Sequence, residues 1–170
     1  MALQPQVTEV LNNQINKELY SSYLYLTFAD YYDDRGLKGF ANWYEIQAKE
    51  EMDHAMMMIR YLQDNDHEVV LGAIDKPQCT LESPEDPLHA GLEHERYVTK
   101  LIHTIYDAAN EVRDFRTMRF LDWFVEEQGE EEKNASDMVS RYALFGHDPK
   151  GLYALDSEYK SRTYVPSAQE

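Results

Sequence analysis

Gln47-Ala48-Lys49-Glu50-Glu51-Met52-Asp53-His54 decides how the rest of this chain is read. It lies in a stretch, Phe40 to Leu71, with neither proline nor glycine, so helix is the default reading. On a helix, steps of three and four connect Phe40, Tyr44, Gln47, Glu51, His54, Met58 and Tyr61 into one stripe. Glu51 and His54 therefore fall one turn apart on the face that should meet the core. Burying a carboxylate or an imidazolium without a partner is strongly unfavourable, so a metal or matching groups from other helices are expected beside them.

Working outward, the spacing predicts five helices, at about 6–34, 37–65, 84–113, 117–145 and 149–160. Arg35-Gly36 supplies the stop of the first, and the short turn after it predicts an antiparallel hairpin with the second. The third is expected to start with Ser83 as cap, Pro84 in the first position, and Glu85 and Asp86 at the positive end of the dipole. A break near Asp114 to Arg116 leads into the fourth. Phe145-Gly146-His147-Asp148-Pro149 ends it and starts the fifth, with Asp148 as cap, and a polar tail runs from there to Glu170. Between the second and third helices lies a long aperiodic segment. A helix of about 28 residues is roughly 42 Å long, a distance that about 18 extended residues can cover. The segment thus predicts a crossover between parallel helices, with Val69-Val70-Leu71 packing on a neighbour.

The composition narrows the function. The 170 residues suit one domain, 1–170; 43% are hydrophobic, and only 7 glycines and 6 prolines interrupt them, which favours a helical globular protein. A formal net charge of −16 opposes a nucleic-acid surface and suits concentrating cations. Met1-Ala2-Leu3-Gln4-Pro5 carries no secretory pattern, and Leu19 to Ala29, uncharged, is too short for a bilayer. Cys79 is the lone cysteine. A cytoplasmic protein without nucleic-acid or membrane partners is expected.

The other helices repeat the anomaly of the second. The first has the stripe Val7, Leu11, Ile15, Glu18, Ser22, Tyr25, Ala29, and the third Leu88, Leu92, Glu95, Val98, Ile102, Ile105, Ala109. The fourth has Phe120, Phe124, Gln128, Glu131, Met138, Tyr142, Phe145. Glu18, Glu51 with His54, Glu95, and Gln128 with Glu131 all lie near the middle of their helices, so they can meet at one level. This ligand set is rich in carboxylate and lacks thiolate, which disfavours sulfur-bound zinc. So many carboxylates repel one another unless about two divalent cations neutralise them. The remaining histidines, 67, 89, 94, 103 and 147, fall off the stripes and are expected at the surface.

Over essentially its whole length the chain resembles a ferritin, most closely the bacterial-type non-haem ferritins. The resemblance is carried by Asn16-Lys17-Glu18-Leu19-Tyr20-Ser21-Ser22-Tyr23-Leu24-Tyr25, by Lys49-Glu50-Glu51-Met52-Asp53-His54, by His94-Glu95, and by Glu127-Gln128-Gly129-Glu130-Glu131-Glu132-Lys133. It implies an all-α, ferritin-like four-helix bundle with a long crossover between helices two and three and a short fifth helix. It implies iron storage and a ferroxidase centre, an intrasubunit di-iron site that oxidises Fe(II) with dioxygen or hydrogen peroxide. Glu18, Glu51 and His54 would bind one iron and Glu95 and Glu131 the second, with Glu51 bridging and Gln128 nearby. A third, weaker iron site would use Glu50, Glu127 and Glu130. The family further implies a homo-oligomeric shell of 24 subunits around a mineral store.

Two departures refine this. A bacterioferritin would show a second Glu-x-x-His on the fourth helix, where this chain has Gln128 and Glu131. That favours an exchangeable centre that passes iron on. Met52 stands where a bacterioferritin has its haem-ligating methionine; the preferred reading is packing beside Met56, Met57 and Met58, and haem is not expected. Tyr25 and Trp123 could supply electrons during oxygen reduction, though packing explains both equally well. The first rival is a di-iron carboxylate oxidase or peroxidase without storage. A DNA-protecting mini-ferritin is opposed by the charge, and a purely structural bundle leaves the buried Glu and His residues without a role.

Overall fold

A computed structural model describes residues 3–167; Met1, Ala2 and the last three residues of the expected polar tail lie outside the described residues. The chain forms α1 (Pro5–Asp34), α2 (Lys38–Asp64), α3 (Asp86–Glu111), α4 (Phe115–Phe145) and α5 (Pro149–Tyr159), with no strand among the described residues. α1 packs on α2 and α3, α3 on α4, and α5 across the ends of α2 and α4. The fold is an all-α four-helix bundle with a short C-terminal helix.

Local chemistry sets the ends. α1, α2 and α3 each stop in a left-handed residue, Gly36 (φ 74°), Asp66 (φ 58°) and Arg113 (φ 55°). The following N–H then closes a six-residue loop, Leu37 to Tyr32 (3.0 Å), His67 to Leu62 (2.9 Å) and Asp114 to Ala109 (2.8 Å). Only Gly36 takes this conformation without steric penalty. α3 begins later than the sequence suggests. Ser83 does not cap it; the Asp86 carboxylate instead accepts from the backbone N–H groups of Glu82 (2.8 Å) and Ser83 (2.7 Å), and Pro87 takes the first turn. α4 begins earlier, because Asp114 caps it through the Thr117 N–H (3.0 Å) and hydroxyl (2.7 Å).

The long segment between α2 and α3 is a crossover laid along α1. Asn12 donates to the Glu68 carbonyl (3.3 Å) and accepts from the Val70 N–H (2.7 Å), and Asn16 donates to the Ala73 carbonyl (2.9 Å). Further on, the Tyr32 hydroxyl donates to the Pro84 carbonyl (2.6 Å). The partners climb α1 as the segment advances, so α3 starts beside the start of α2 and runs parallel to it. Of the expected apolar contacts only Val69 packs on the core. Val70 and Leu71 are exposed, because the extended backbone, held by Asn12, can turn only part of the run inward.

The core has two halves. One gathers Phe28, Tyr32, Phe40, Tyr44, Leu88, Tyr142 and Leu155 at the α5 end. The other gathers Val7, Leu11, Ile15, Met58, Leu62, Ile102 and Phe124 at the opposite end. Polar side chains lie between them. Phe145, expected on the α4 stripe, is 49% exposed, because it is the last helical residue and projects past the core.

α5 is tied down by a buried charge. The Asp156 carboxylate accepts from the backbone N–H groups of Gly39 (2.7 Å) and Phe40 (3.1 Å), so it caps α2, which has no side-chain cap of its own. A Cβ on Gly39 would stand 1.6 Å from the Asp156 carbonyl oxygen, so this approach requires glycine. No helix among the described residues is long and apolar enough to cross a membrane.

Candidate metal centre

The polar belt between the two core halves contains the polar side chains that interrupt the four stripes. Glu18 from α1, Glu51 and His54 from α2, Glu95 from α3, and Gln128 and Glu131 from α4 are all buried. Helical spacing explains the α2 pair: three residues apart, the Glu51 carboxylate lies 3.2 Å from His54 Nδ1. Glu18 approaches the same nitrogen at 4.0 Å.

Two groups of possible ligands share one residue. Glu18, Glu51 and His54 offer donor atoms within 4.8 Å of one another, and so do Glu51, Glu95 and Glu131. Glu51 therefore stands between two adjacent oxygen-rich pockets, only one of which contains a nitrogen.

Amide and hydroxyl donors orient the carboxylates. Gln14 donates to Glu18 (2.8 Å), and Gln47 donates to Glu131 and more weakly to Glu51 (3.5 Å). Gln128 donates to the Glu95 carboxylate (3.1 Å), the Glu95 carbonyl and the Thr99 hydroxyl. Tyr25 donates to the other Glu95 oxygen. Trp123 and Phe124 close one side, with ring centroids 5.5 and 6.0 Å from the His54 ring.

The electrostatics call for a cation. Burial, then the neighbouring Glu51, pushes the Glu18 carboxyl well above the usual range. Burial, then Glu95, does the same to Glu51 and Glu131, and burial raises Glu95. Among the described residues the buried Glu18 Oε2 atom has no hydrogen-bond partner, which fits a donor meant for metal, and the His54 nitrogen turned toward Glu18 and Glu51 is Nδ1. Oxygen donors with one imidazole suit divalent iron or manganese over sulfur-loving ions.

The residues named for a third site lie at the outer edge of the belt: after burial and the opposing effect of His54, Glu130 and Glu50 both act on the Glu127 carboxyl and raise it. Glu127 lies with His54 and Glu131, its donor atom within 4.8 Å of theirs. Glu50 is ion-paired with Arg162 (2.6 Å), Glu130 is exposed, and no ligand trio among the described residues includes either of them. Met52 and Met56 face outward and Met58 enters the core, so the expected packing of Met52 is not found.

His94 corrects the expectation for the off-stripe histidines. It is only partly exposed, shares a 2.7 Å hydrogen bond with Ser21, and lies among Tyr20, Tyr25 and Tyr97. Burial, then Lys17, pushes its imidazole down to about 4. It packs against α1, bonded to Ser21 and edge-on to the ring of the stripe residue Tyr25. His67 is also partly buried and accepts from the Leu3 N–H (3.0 Å), whereas 89, 103 and 147 are exposed.

Sequence reasoning missed the donors Gln14 and Gln47 and the cation Arg162. Gln14 stands four residues before Glu18, a readable signal, whereas the main acceptor of Gln47 is Glu131 on another helix, and its i,i+4 bond to Glu51 is the weaker one. Arg162 lies beyond α5, where no periodicity reports burial.

Four helices around a buried carboxylate–histidine belt define the class, and comparison with known proteins agrees. The family described as Ferritin-like domain matches residues 8–145, and the chain belongs to it. Within that family it is similar to the bacterial non-heme ferritin of Campylobacter jejuni, 35% identical over 159 residues, which are 94% of this chain and 95% of the relative. A probable bacterial non-heme ferritin-like protein of Haemophilus influenzae is 35% identical over 156 residues, 92% of this chain and 94% of its own. Among solved structures, an open pore ferritin from the hyperthermophilic archaeon Archaeoglobus fulgidus is 42% identical with a TM-score of 0.92, covering 95% of this chain and 98% of that one. A closed form of the Archaeoglobus fulgidus ferritin, engineered by site-directed mutagenesis, is 41% identical with a TM-score of 0.94, covering 96% and 100%.

Proposed function

We propose that this protein, acting as one domain over 1–170, stores iron and oxidises it at the centre described above. Glu18, Glu51 and His54 hold one Fe(II), Glu51, Glu95 and Glu131 hold the second, and Gln128 and Tyr25 orient Glu95. The observation that carries the reading is the sharing of Glu51 between two adjacent ligand groups. Two irons so placed can each give one electron to the same dioxygen molecule. With two protons taken up, the products are two Fe(III) and one hydrogen peroxide, and the anionic ligands favour the ferric state. Family membership supports the next step, release of Fe(III) into a mineral held by a shell of 24 subunits in the cytoplasm.

The test is aerobic addition of Fe(II) to the purified protein, followed by gel filtration with iron and protein detected together. Many irons per chain on a very large particle, with slow oxidation in Glu51→Ala and His54→Ala, is the expected result. About two irons per chain on a small oligomer would overturn storage and favour the oxidase or peroxidase alternative.

A further inference from the structure

After α5 the chain turns back along α2 as a strap. Asn42 donates to the carbonyls of Tyr159 (3.1 Å) and Arg162 (3.0 Å), and Asp53 accepts from the Tyr164 hydroxyl (2.6 Å) and the Ser167 N–H (2.9 Å). Between these anchors the Arg162 guanidinium lies 4.1 Å over the Trp43 ring. It donates to the Trp43 carbonyl (3.1 Å), to Gln47 Oε1 (3.0 Å) and to Glu50 (2.6 Å). The side chains of Arg162 and Glu50 are 18% and 17% exposed, so this is a largely desolvated pair, unlike the solvated ion pairs elsewhere on the surface.

Two consequences follow. A guanidinium only donates, so the amide oxygen of Gln47 must face Arg162. The Gln47 NH2 is thereby directed inward, to Glu131 and Glu51. Arg162 also supplies a covalently tethered positive charge to Glu50, an outer carboxylate that a metal would otherwise have to neutralise.

We propose that Arg162 is a positioning residue of the metal centre and the built-in competitor for metal at the outer carboxylates Glu50, Glu127 and Glu130. A third cation binds there only when the guanidinium leaves Glu50, and that departure frees Gln47 and loosens its hold on Glu131. The strap thus couples outer occupancy to the inner pair. This rests on the reading that Glu18, Glu51, His54, Glu95 and Glu131 bind two metals.

The experiment is an anaerobic titration of the full-length protein with Co(II), followed by calorimetry and by visible absorption, in the unaltered chain, Arg162→Gln, Arg162→Lys and Arg162→Gln/Glu50→Gln. The expected result is two tight sites per chain, with a third whose dissociation constant falls about tenfold in Arg162→Gln. Arg162→Lys, which keeps the charge but loses the fork, should fall between. The double variant should lose the gain, and the absorption of the first two Co(II) ions should shift in Arg162→Gln because Gln47 is released. Third-site constants agreeing within about twofold across the variants, with the two tight sites still filling, would overturn the inference alone. Absence of tight sites in the unaltered chain would overturn the metal-centre reading, and the inference with it. If Arg162→Gln does not fold, an unchanged third-site constant in Arg162→Lys overturns the proposal.

Discussion

Tyr25 on α1 donates its hydroxyl to the carboxylate of Glu95 on α3, across the middle of the bundle. Burial, then Glu95, holds the phenol well above its ordinary range, so it stays a neutral donor. Tyr25→Phe should fold normally, since the ring also packs against Phe28 and Tyr44. Loss of a hydrogen bond to a charged group, about 1.5 kcal/mol, predicts Fe(II) oxidation slower by roughly tenfold. Stopped-flow absorbance checks this; an unchanged rate would reduce Tyr25 to a packing residue.

The raised carboxyls make the metal-free protein sensitive to alkali. Groups whose folded pKa lies above the unfolded value stabilise fully below the unfolded value, near 4.5, and lose that stabilisation as pH rises through the folded value. The melting temperature of metal-free protein should therefore fall from about pH 5 to pH 8. Glu18→Gln/Glu131→Gln should flatten the fall, and a redox-inert divalent cation such as Zn(II) should stabilise more at pH 8 than at pH 5. Parallel slopes in the double variant and the unaltered chain would contradict the assignment.

His94 acts in the opposite direction. Its folded value, about 4, lies below the ordinary 6.5, so it contributes stability that is present above 6.5 and lost as pH falls toward 4. Imidazole resonances should show His94 uncharged at pH 5.5, a full unit below the ordinary imidazole value of about 6.5. His94→Gln should remove part of the acid destabilisation between those limits. A His94 midpoint near 6.5 would show that Ser21 and the surrounding rings do not enclose it.

Asp156 joins α5 to the start of α2. Asp156→Ala leaves the Gly39 and Phe40 N–H groups without their acceptor and should cost about 1–3 kcal/mol. Urea unfolding measures the loss, and faster proteolysis near residue 150 should accompany it. Asp156→Asn, which keeps an acceptor, should lose less.

Much of the bundle was legible because helical periodicity and burial are tightly linked. The stripes through Val7, Phe40, Leu88 and Phe120 all meet the core, and the glutamates stood out because charge contradicts their position. Tyr61 is only half-buried, stacked on Phe120, because α2 is nearing its end there. Asp66 and Arg113 gave no sign of their left-handed conformation, since sequence cannot show which non-glycine residue accepts that strain. His94 and Arg162 stayed hidden for a related reason: their surroundings come from a crossover and a C-terminal strap, whose contacts follow no period. The pairing of Glu50 with Arg162 could be learned only from three-dimensional placement.

The division of the apolar core into two halves has a mechanical consequence. Hydrophobic cohesion, the largest favourable contribution to folding, acts above and below the belt and hardly at all within it. The bundle is clamped at both ends and polar at its waist. If the centre binds iron as proposed, cations would come and go between Glu18 and Glu131 while neither clamp opens, and loading and emptying would need only local rearrangement of side chains on a backbone that stays folded.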